Sequence, residues 1–141
     1  MKHSQYGFTL IELMVALIVM AILAGIAYPS YTQYTFRARR ADGQNVLIRV
    51  AAEQERFYTQ FNRYAQDLTA APPAGLGMTS LDSDNGYYTV SVAAGPSGNN
   101  QSYTLRASPA GIQVDDACER LVLSSTGLKT QSGSETNGPC W

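Results

Sequence analysis

The sequence predicts an α+β fold in which one long, kinked N-terminal helix packs on an antiparallel sheet of three or four strands. Two observations carry that expectation. An apolar run from Phe8 to Tyr28 passes directly into an amphipathic stretch that ends near Phe61. Beyond Gly86 the pattern changes to short segments of period two, separated by glycine- and proline-rich turns. A helix with a single apolar stripe must bury it, and a following sheet offers a face to bury it on.

The first element is a polar leader, residues 1–7, with one cation, Lys2, and a small residue, Gly7, at its end. The run from 8 to 28 is then long enough, at ~1.5 Å per helical residue, to cross a bilayer core of ~30 Å. Its only charge is Glu12. An ionised carboxylate inside a span costs on the order of 2.5 to 3.5 kcal/mol on insertion scales, so it calls for a cationic partner or a proton. No Lys or Arg lies between Phe8 and Phe36. Cutting after Gly7 would create the missing cation, a main-chain amine on Phe8. A secretory signal peptide, cleaved after Ala27 at Gly25-Ile26-Ala27, is the first competing reading, and Glu12 is out of place in its apolar region. A plain single-pass anchor is the second, and it gives no reason for Gly7-Phe8 or Glu12.

Gly25 and Pro29 close the span. Proline removes a backbone donor and clashes with the preceding turn, so a kink or local unwinding is expected there. The second half of the helix, residues 29–61, carries Leu47, Val50, Ala51, Gln54, Phe57, Tyr58 and Phe61 at helical spacing, with Arg49, Glu53 and Arg56 off that stripe. The head, 62–141, begins with a loop at 62–85, marked by Pro72-Pro73, Gly75 and Gly77 and ended by the turn Asp82-Ser83-Asp84-Asn85-Gly86. Strands are expected at 87–92, 102–107 and 120–124 within a sheet region of 86–131, with a short fourth near Thr126 to Thr130.

Cys118 and Cys140 are the only cysteines. With no metal-ligating residues beside them, a disulfide is the economical reading, and it places the head in an oxidising, extracytoplasmic compartment. Closing the loop bounded by 118–140 is worth ~3.4 kcal/mol on the chain-entropy model. Charge counting disagrees about topology: Arg37, Arg39 and Arg40 follow the span against Lys2 alone before it, which would leave the C-terminal side in the cytoplasm. The cysteines outweigh that count, with the arginines expected to be neutralised by neighbouring subunits.

Chemistry for catalysis is missing. The single histidine, His3, lies in the leader, and tied-up cysteines leave no nucleophile pairing, metal site or cofactor cradle. Asp82 to Gly86 opens like a calcium loop, but its glycine comes one residue early and Ala93 stands where the bidentate Glu belongs. Asp115-Asp116 reads as a solvated pair. The net charge of −1 falls to −2 once Lys2 leaves with the leader, which gives no general attraction to nucleic acid. Arg106, Arg120 and Lys129 are the basic side chains after Arg63 and hence the candidates for DNA contact, alongside the plainer reading as solvated strand and loop positions.

Gly7-Phe8-Thr9-Leu10-Ile11-Glu12 resembles the class III signal of type IV prepilins, and further matches extend the resemblance over nearly the full length. These are Gln54 to Gln60, Asn62-Arg63-Tyr64, Asp67-Leu68, Tyr103 to Ala107, Cys118 with Leu121-Val122-Leu123 and Gly127, and Cys140-Trp141. The chain is similar to PilE-type minor pilins, a group related to the ComP-like DNA-uptake pilins. The resemblance implies the type IV pilin fold, cleavage at Gly7/Phe8 by a prepilin peptidase that also N-methylates Phe8, and Glu12 as the acid that recruits the next subunit's N-terminus. Its partners would be other pilin subunits, the pilus assembly machinery and the inner membrane, with the head periplasmic before assembly and the pilus extracellular after it. DNA is a possible partner but not the favoured one, because a basic face is lacking; a type II secretion pseudopilin is the third reading. From the residues alone, Glu12 pairs either with its own Phe8 amine or with another subunit's.

Overall fold

A computed structural model describes residues 7–98 and 100–141; most of the expected leader, with Lys2 and His3, lies outside the described residues. The chain divides into two units between Thr35 and Phe36. One helix, α1 (Leu10–Phe61), contributes to both.

The start of α1 is written in its first residues. Thr9 accepts the first helical bond at its carbonyl, from Leu13 N–H, and its Oγ1 accepts the Glu12 N–H at 3.3 Å. Thr9 is therefore the N-cap, and Thr9-Leu10-Ile11-Glu12 has the spacing of a capping box. The helical assignment continues without local unwinding through Gly25 and Pro29. Thr32 Oγ1 donates to the Pro29 carbonyl and Thr35 Oγ1 to that of Thr32, each at 2.8 Å, the back-bonding by which hydroxyls tolerate a helix interior. Apolar side chains from Phe8 to Tyr34 are exposed, so this unit has a surface suited to lipid or to other helices rather than to water. At the far end Asn62 adopts φ 52° and donates its N–H to the Tyr58 carbonyl, a left-handed stop filled by asparagine.

In the second unit the sheet is an antiparallel meander in the order β1-β2-β3-β4: β1 (Tyr88–Ala94), β2 (Tyr103–Pro109), β3 (Leu121–Ser124) and β4 (Lys129–Gln131). Val90 pairs with Ala107, Leu105 with Leu123 and Ala107 with Leu121, so one face carries Tyr88, Val90, Leu105, Ala107, Leu121 and Leu123. Val46, Leu47 and Val50 of α1 complete the core on that face. The first three strands begin one residue later than the expected segments, the first two run on by two residues, and the fourth occupies Lys129–Gln131 rather than starting at Thr126.

Gly43 lets α1 pack tightly on the sheet: a Cβ there would sit 2.9 Å from two ring carbons of Tyr88. The connecting loop is held by Asp67, whose Oδ1 accepts the N–H groups of Ala70 and Thr69 and the Thr69 hydroxyl. Those bonds, the Ala70 one foremost, lower its carboxyl below the usual carboxylate range. A bridge between Asp82 and Thr89, with Val90 N–H donating to Leu81 O, covers the start of the outer edge of β1.

Of the arginines after the span, Arg40 is neutralised within its own head, where the expectation above looked to neighbouring subunits. Arg40 is buried in an ion pair with Asp116, Arg39 stacks over the Tyr87 ring at 5.0 Å, and Arg37 donates to the Asn137 carbonyl at 3.4 Å. Their own head supplies all three partners.

Candidate assembly and DNA-contact sites

The N-terminal site is built by the helix start. Gly7 has open space where a Cβ would stand, Phe8 is 81% exposed, and Glu12 projects from the first helical turn among exposed apolar side chains. The ion pairs among the described residues are Arg40–Asp116, Arg49–Asp84 and Arg56–Glu53, and Glu12 is in none of them. Its backbone is committed to the cap while its carboxylate faces outward. An acid in the first turn is also where the helix macrodipole tolerates it best.

In the head, buried polar groups tie the helix to the sheet and the C-terminal segment. Arg40 Nε and Nη2 donate to Asp116 Oδ2 and Oδ1 at 2.8 and 2.6 Å, while Nη1 donates to the carbonyls of Pro139 and Gly138. Burial pushes the Asp116 carboxyl up, but the Arg40 bonds and charge, aided by Asn137 and the Cys118 N–H, leave it below the usual range. Gln113, on a 3-10 turn (Gly111–Gln113), donates to the Tyr88 hydroxyl and to Asp116, each at 3.1 Å. Burial, above all, pushes the Tyr88 phenol up to about 12. Two residues after Arg40, Asp42 accepts from Ser83 Oγ and from Asn85. Farther on, Gln54 clamps Ala65 by both its carbonyl and its N–H, at 2.8 and 2.9 Å. Glu55 accepts from the Tyr64 and Tyr103 hydroxyls; burial raises both phenols, and the Glu55 charge adds to it.

Cys118 and Cys140 are joined, with Cα atoms 5.6 Å apart. Gly133 N–H donates to Cys118 O and Ser134 N–H to Ala117 O, which lays the C-terminal segment along the residues before β3. Trp141 closes the chain, its Nε1 donating to Thr130 O at 2.8 Å.

The candidate DNA contacts are not all brought together. Arg106 pairs in register with Val122 and so lies on the sheet face opposite the core, and Arg120 reaches the same face, its Nε donating to Ser108 Oγ at 3.3 Å. Lys129 stands opposite Leu123, on the core-facing side at the edge, with its ammonium 5.1 Å over the Trp141 ring. Two arginines thus share a surface and the lysine does not. An open cleft of about 570 Å³ between α1 and the loop is lined by Arg49, Glu53, Met78, Asp82 and Asp84, and Arg49 and Asp84 already pair there.

Sequence reading missed Arg40, Asp42 and Gly43 as buried positions. A signal for them existed, since stepping the stripe back from Leu47 and Val46 by a helical turn or two lands on Gly43, Arg40 and Asp42.

A long N-terminal helix whose exposed apolar half is long enough to cross a membrane, followed in the chain by a meander sheet and a C-terminal disulfide, is the architecture of the pilin class. The comparisons agree. A family model described as "Type IV minor pilin ComP, DNA uptake sequence receptor" matches residues 29–122, and a prokaryotic N-terminal methylation motif matches residues 2–28. Fimbrial protein EcpC of Eikenella corrodens is 30% identical over 126 residues, covering 89% of this chain and 78% of that protein. Major fimbrial protein FimA of Dichelobacter nodosus is 33% identical over 116 residues, covering 79% of this chain and 70% of the relative. Against the major pilin PilA of Myxococcus xanthus, at 32% identity over 75% of this chain, the match spans only 46% of the relative. A solved type IV pilin from Shewanella oneidensis superposes with a TM-score of 0.50 at 26% identity, covering 75% of this chain and 97% of that one.

The chain belongs to the type IV pilin family. Its relatives are structural pilus subunits, not enzymes.

Proposed function

We propose that this chain is a minor subunit of a type IV pilus, made as a membrane-anchored precursor and assembled through its N-terminal helix. Cleavage after Gly7 by prepilin peptidase frees the Phe8 amine, which is methylated and stays basic. The carboxylate of Glu12 takes the Phe8 amine of a neighbouring subunit, so that one ion pair sets the register of helices as protein contacts replace lipid contacts. Before extraction the head faces the periplasm, where the cysteines oxidise. The observation that carries this reading is the exposed Glu12, without an ion pair among the described residues, one turn behind Gly7-Phe8 on an unburied apolar helix. The test is Glu12→Ala in the producing cell: the membrane pool should persist while incorporation into sheared pili falls, and normal incorporation refutes the assembly role. Mass spectrometry of the mature N-terminus should find methylated Phe8.

A second reading, a DNA-binding pilin in transformation, is favoured by the DNA-uptake family match and by the shared face of Arg106 and Arg120. It predicts duplex binding by the full chain in detergent that weakens steeply with salt. Arg106→Ala and Arg120→Ala should each weaken it, and Lys129→Ala should not. No band shift at low salt disposes of it.

A further inference from the structure

The segments that carry Cys118 and Cys140 are joined by bonds other than the disulfide. Cys118 follows Asp116 by two residues, and Cys140 directly follows Pro139. Arg40 of α1 holds both approaches at once: its guanidinium fork takes the Asp116 carboxylate at 2.8 and 2.6 Å, while Nη1 takes the carbonyls of Pro139 at 2.9 Å and Gly138 at 3.2 Å. The Asn137 side chain closes the ring, accepting from Arg40 Nη2 and donating to Asp116 Oδ1. Other bonds align the two segments, among them Gln44 Nε2 to Cys140 O at 2.9 Å and Gly133 N–H to Cys118 O at 3.1 Å. Among the side chains of α1, Arg40 is the one that bonds to both segments.

We propose that Arg40 is the positioning residue for disulfide closure: it gathers the two cysteine-bearing segments onto α1 while both are still thiols, and oxidation then locks contacts already made. Bringing residues 22 apart in sequence together from a free chain costs loop-closure entropy. Arg40 meets that cost with charge-assisted, bidentate bonds in a site where it is only 1% exposed. A lysine could not substitute, because a point cation on a flexible stem cannot present separate donors to a carboxylate and to two carbonyls on the opposite side.

The chemistry balances with a disulfide donor such as oxidised glutathione. One cysteine thiolate attacks a donor sulfur and displaces one glutathione thiolate. The second cysteine thiolate then attacks the protein sulfur of the mixed disulfide, forming the Cys118–Cys140 bond and displacing the second glutathione. The two cysteine protons end on the two departing thiolates, and the donor disulfide is the species reduced.

The test is the effective concentration of the two thiols in the full chain, reduced in detergent and titrated with glutathione redox buffer. Arg40→Met should lower it by about tenfold or more in native buffer and leave it unchanged in concentrated guanidinium chloride, where no chain keeps the cluster. Arg40→Lys should fall with Arg40→Met despite keeping its charge. If oxidised Arg40→Met lacks native circular dichroism, the Arg40→Met/Asp116→Leu chain carries the measurement, because it buries no orphan carboxylate. In a second arm, Cys118→Ser/Cys140→Ser should keep Trp141 as shielded from acrylamide as in the bonded chain, and adding Arg40→Met should expose it. Wild-type effective concentration in Arg40→Lys or in the Met variants, or an exposed Trp141 in the cysteine-free chain with Arg40 intact, overturns the proposal.

Discussion

Replacing Asp116 with leucine tests how much of the head's stability rests on one buried charge pair. The carboxylate is fully buried and accepts from Arg40 at 2.8 and 2.6 Å, from Gln113 at 3.1 Å and from Asn137 at 3.3 Å. Leucine fills a comparable space but leaves the guanidinium buried with only carbonyl and amide oxygens around it. Stranding one member of a buried pair costs ~3–5 kcal/mol. For a head of roughly 100 residues, where 1 kcal/mol moves Tm by about 4–8 °C, the midpoint should drop by more than ~10 °C. The wild type also has an acid limb. Because Asp116 has a folded pKa below its unfolded value, its contribution is complete above the unfolded value near ~4 and is lost as pH falls through the folded one. Thermal unfolding of the full chain in detergent, followed by circular dichroism across pH 2 to 7, reads both effects. Asp116→Leu should be destabilised at neutral pH and less dependent on pH below ~4. Adding Arg40→Met should recover part of the loss by removing the orphan cation. A loss below ~1 kcal/mol in Asp116→Leu, or a larger loss in the double variant than in the single, would refute the pairing as the source of stability.

Gly43→Ala should destabilise the head even though alanine is the better helix former by ~1 kcal/mol, because its Cβ meets the Tyr88 ring at 2.9 Å and overpacking of this kind costs ~1–3 kcal/mol. Equilibrium denaturation gives the sign. Gln54→Leu should cost about 2 kcal/mol or more by stranding the carbonyl and N–H of Ala65, and hydrogen exchange at Ala65 should quicken. With the Tyr88 phenol pushed up to about 12, its contribution is complete below pH ~10 and is lost as pH rises toward the folded value, so Tyr88→Phe should be less sensitive to alkali, by denaturation at pH 9 to 12.

Periodicity made most of the fold legible. The stripe from Leu47 to Phe61 specified the buried face of α1, and period-two runs specified the strands to within a few residues, because burial and pleat impose those spacings directly. What stayed hidden were charged and small residues used inside the core. Arg40 and Asp42 read as solvent-facing by residue type even though helical spacing puts them in line with the apolar stripe, and their burial is offset by partners at Asp116 and at Ser83 and Asn85, many residues away. Asp115-Asp116 read as two solvated acids, whereas Asp116 turns inward to Arg40. The candidate DNA contacts were chosen by charge alone, and strand register separates Lys129 from Arg106 and Arg120, a distinction that depends on which residue faces which across three strands. Gly7, Phe8 and Glu12 lie within residues 2–28, matched by a prokaryotic N-terminal methylation motif, a pattern local enough to be read from a few residues of sequence.

The N-cap at Thr9 divides labour within a single residue. It engages the amide of Glu12 and leaves the carboxylate free. Helix initiation and surface charge at this position are consequently independent variables: Glu12→Gln erases the anion while the cap endures, and Thr9→Val removes the cap while the anion endures. If Glu12 pairs subunits as proposed, the strength of that attraction can change without altering where each helix begins.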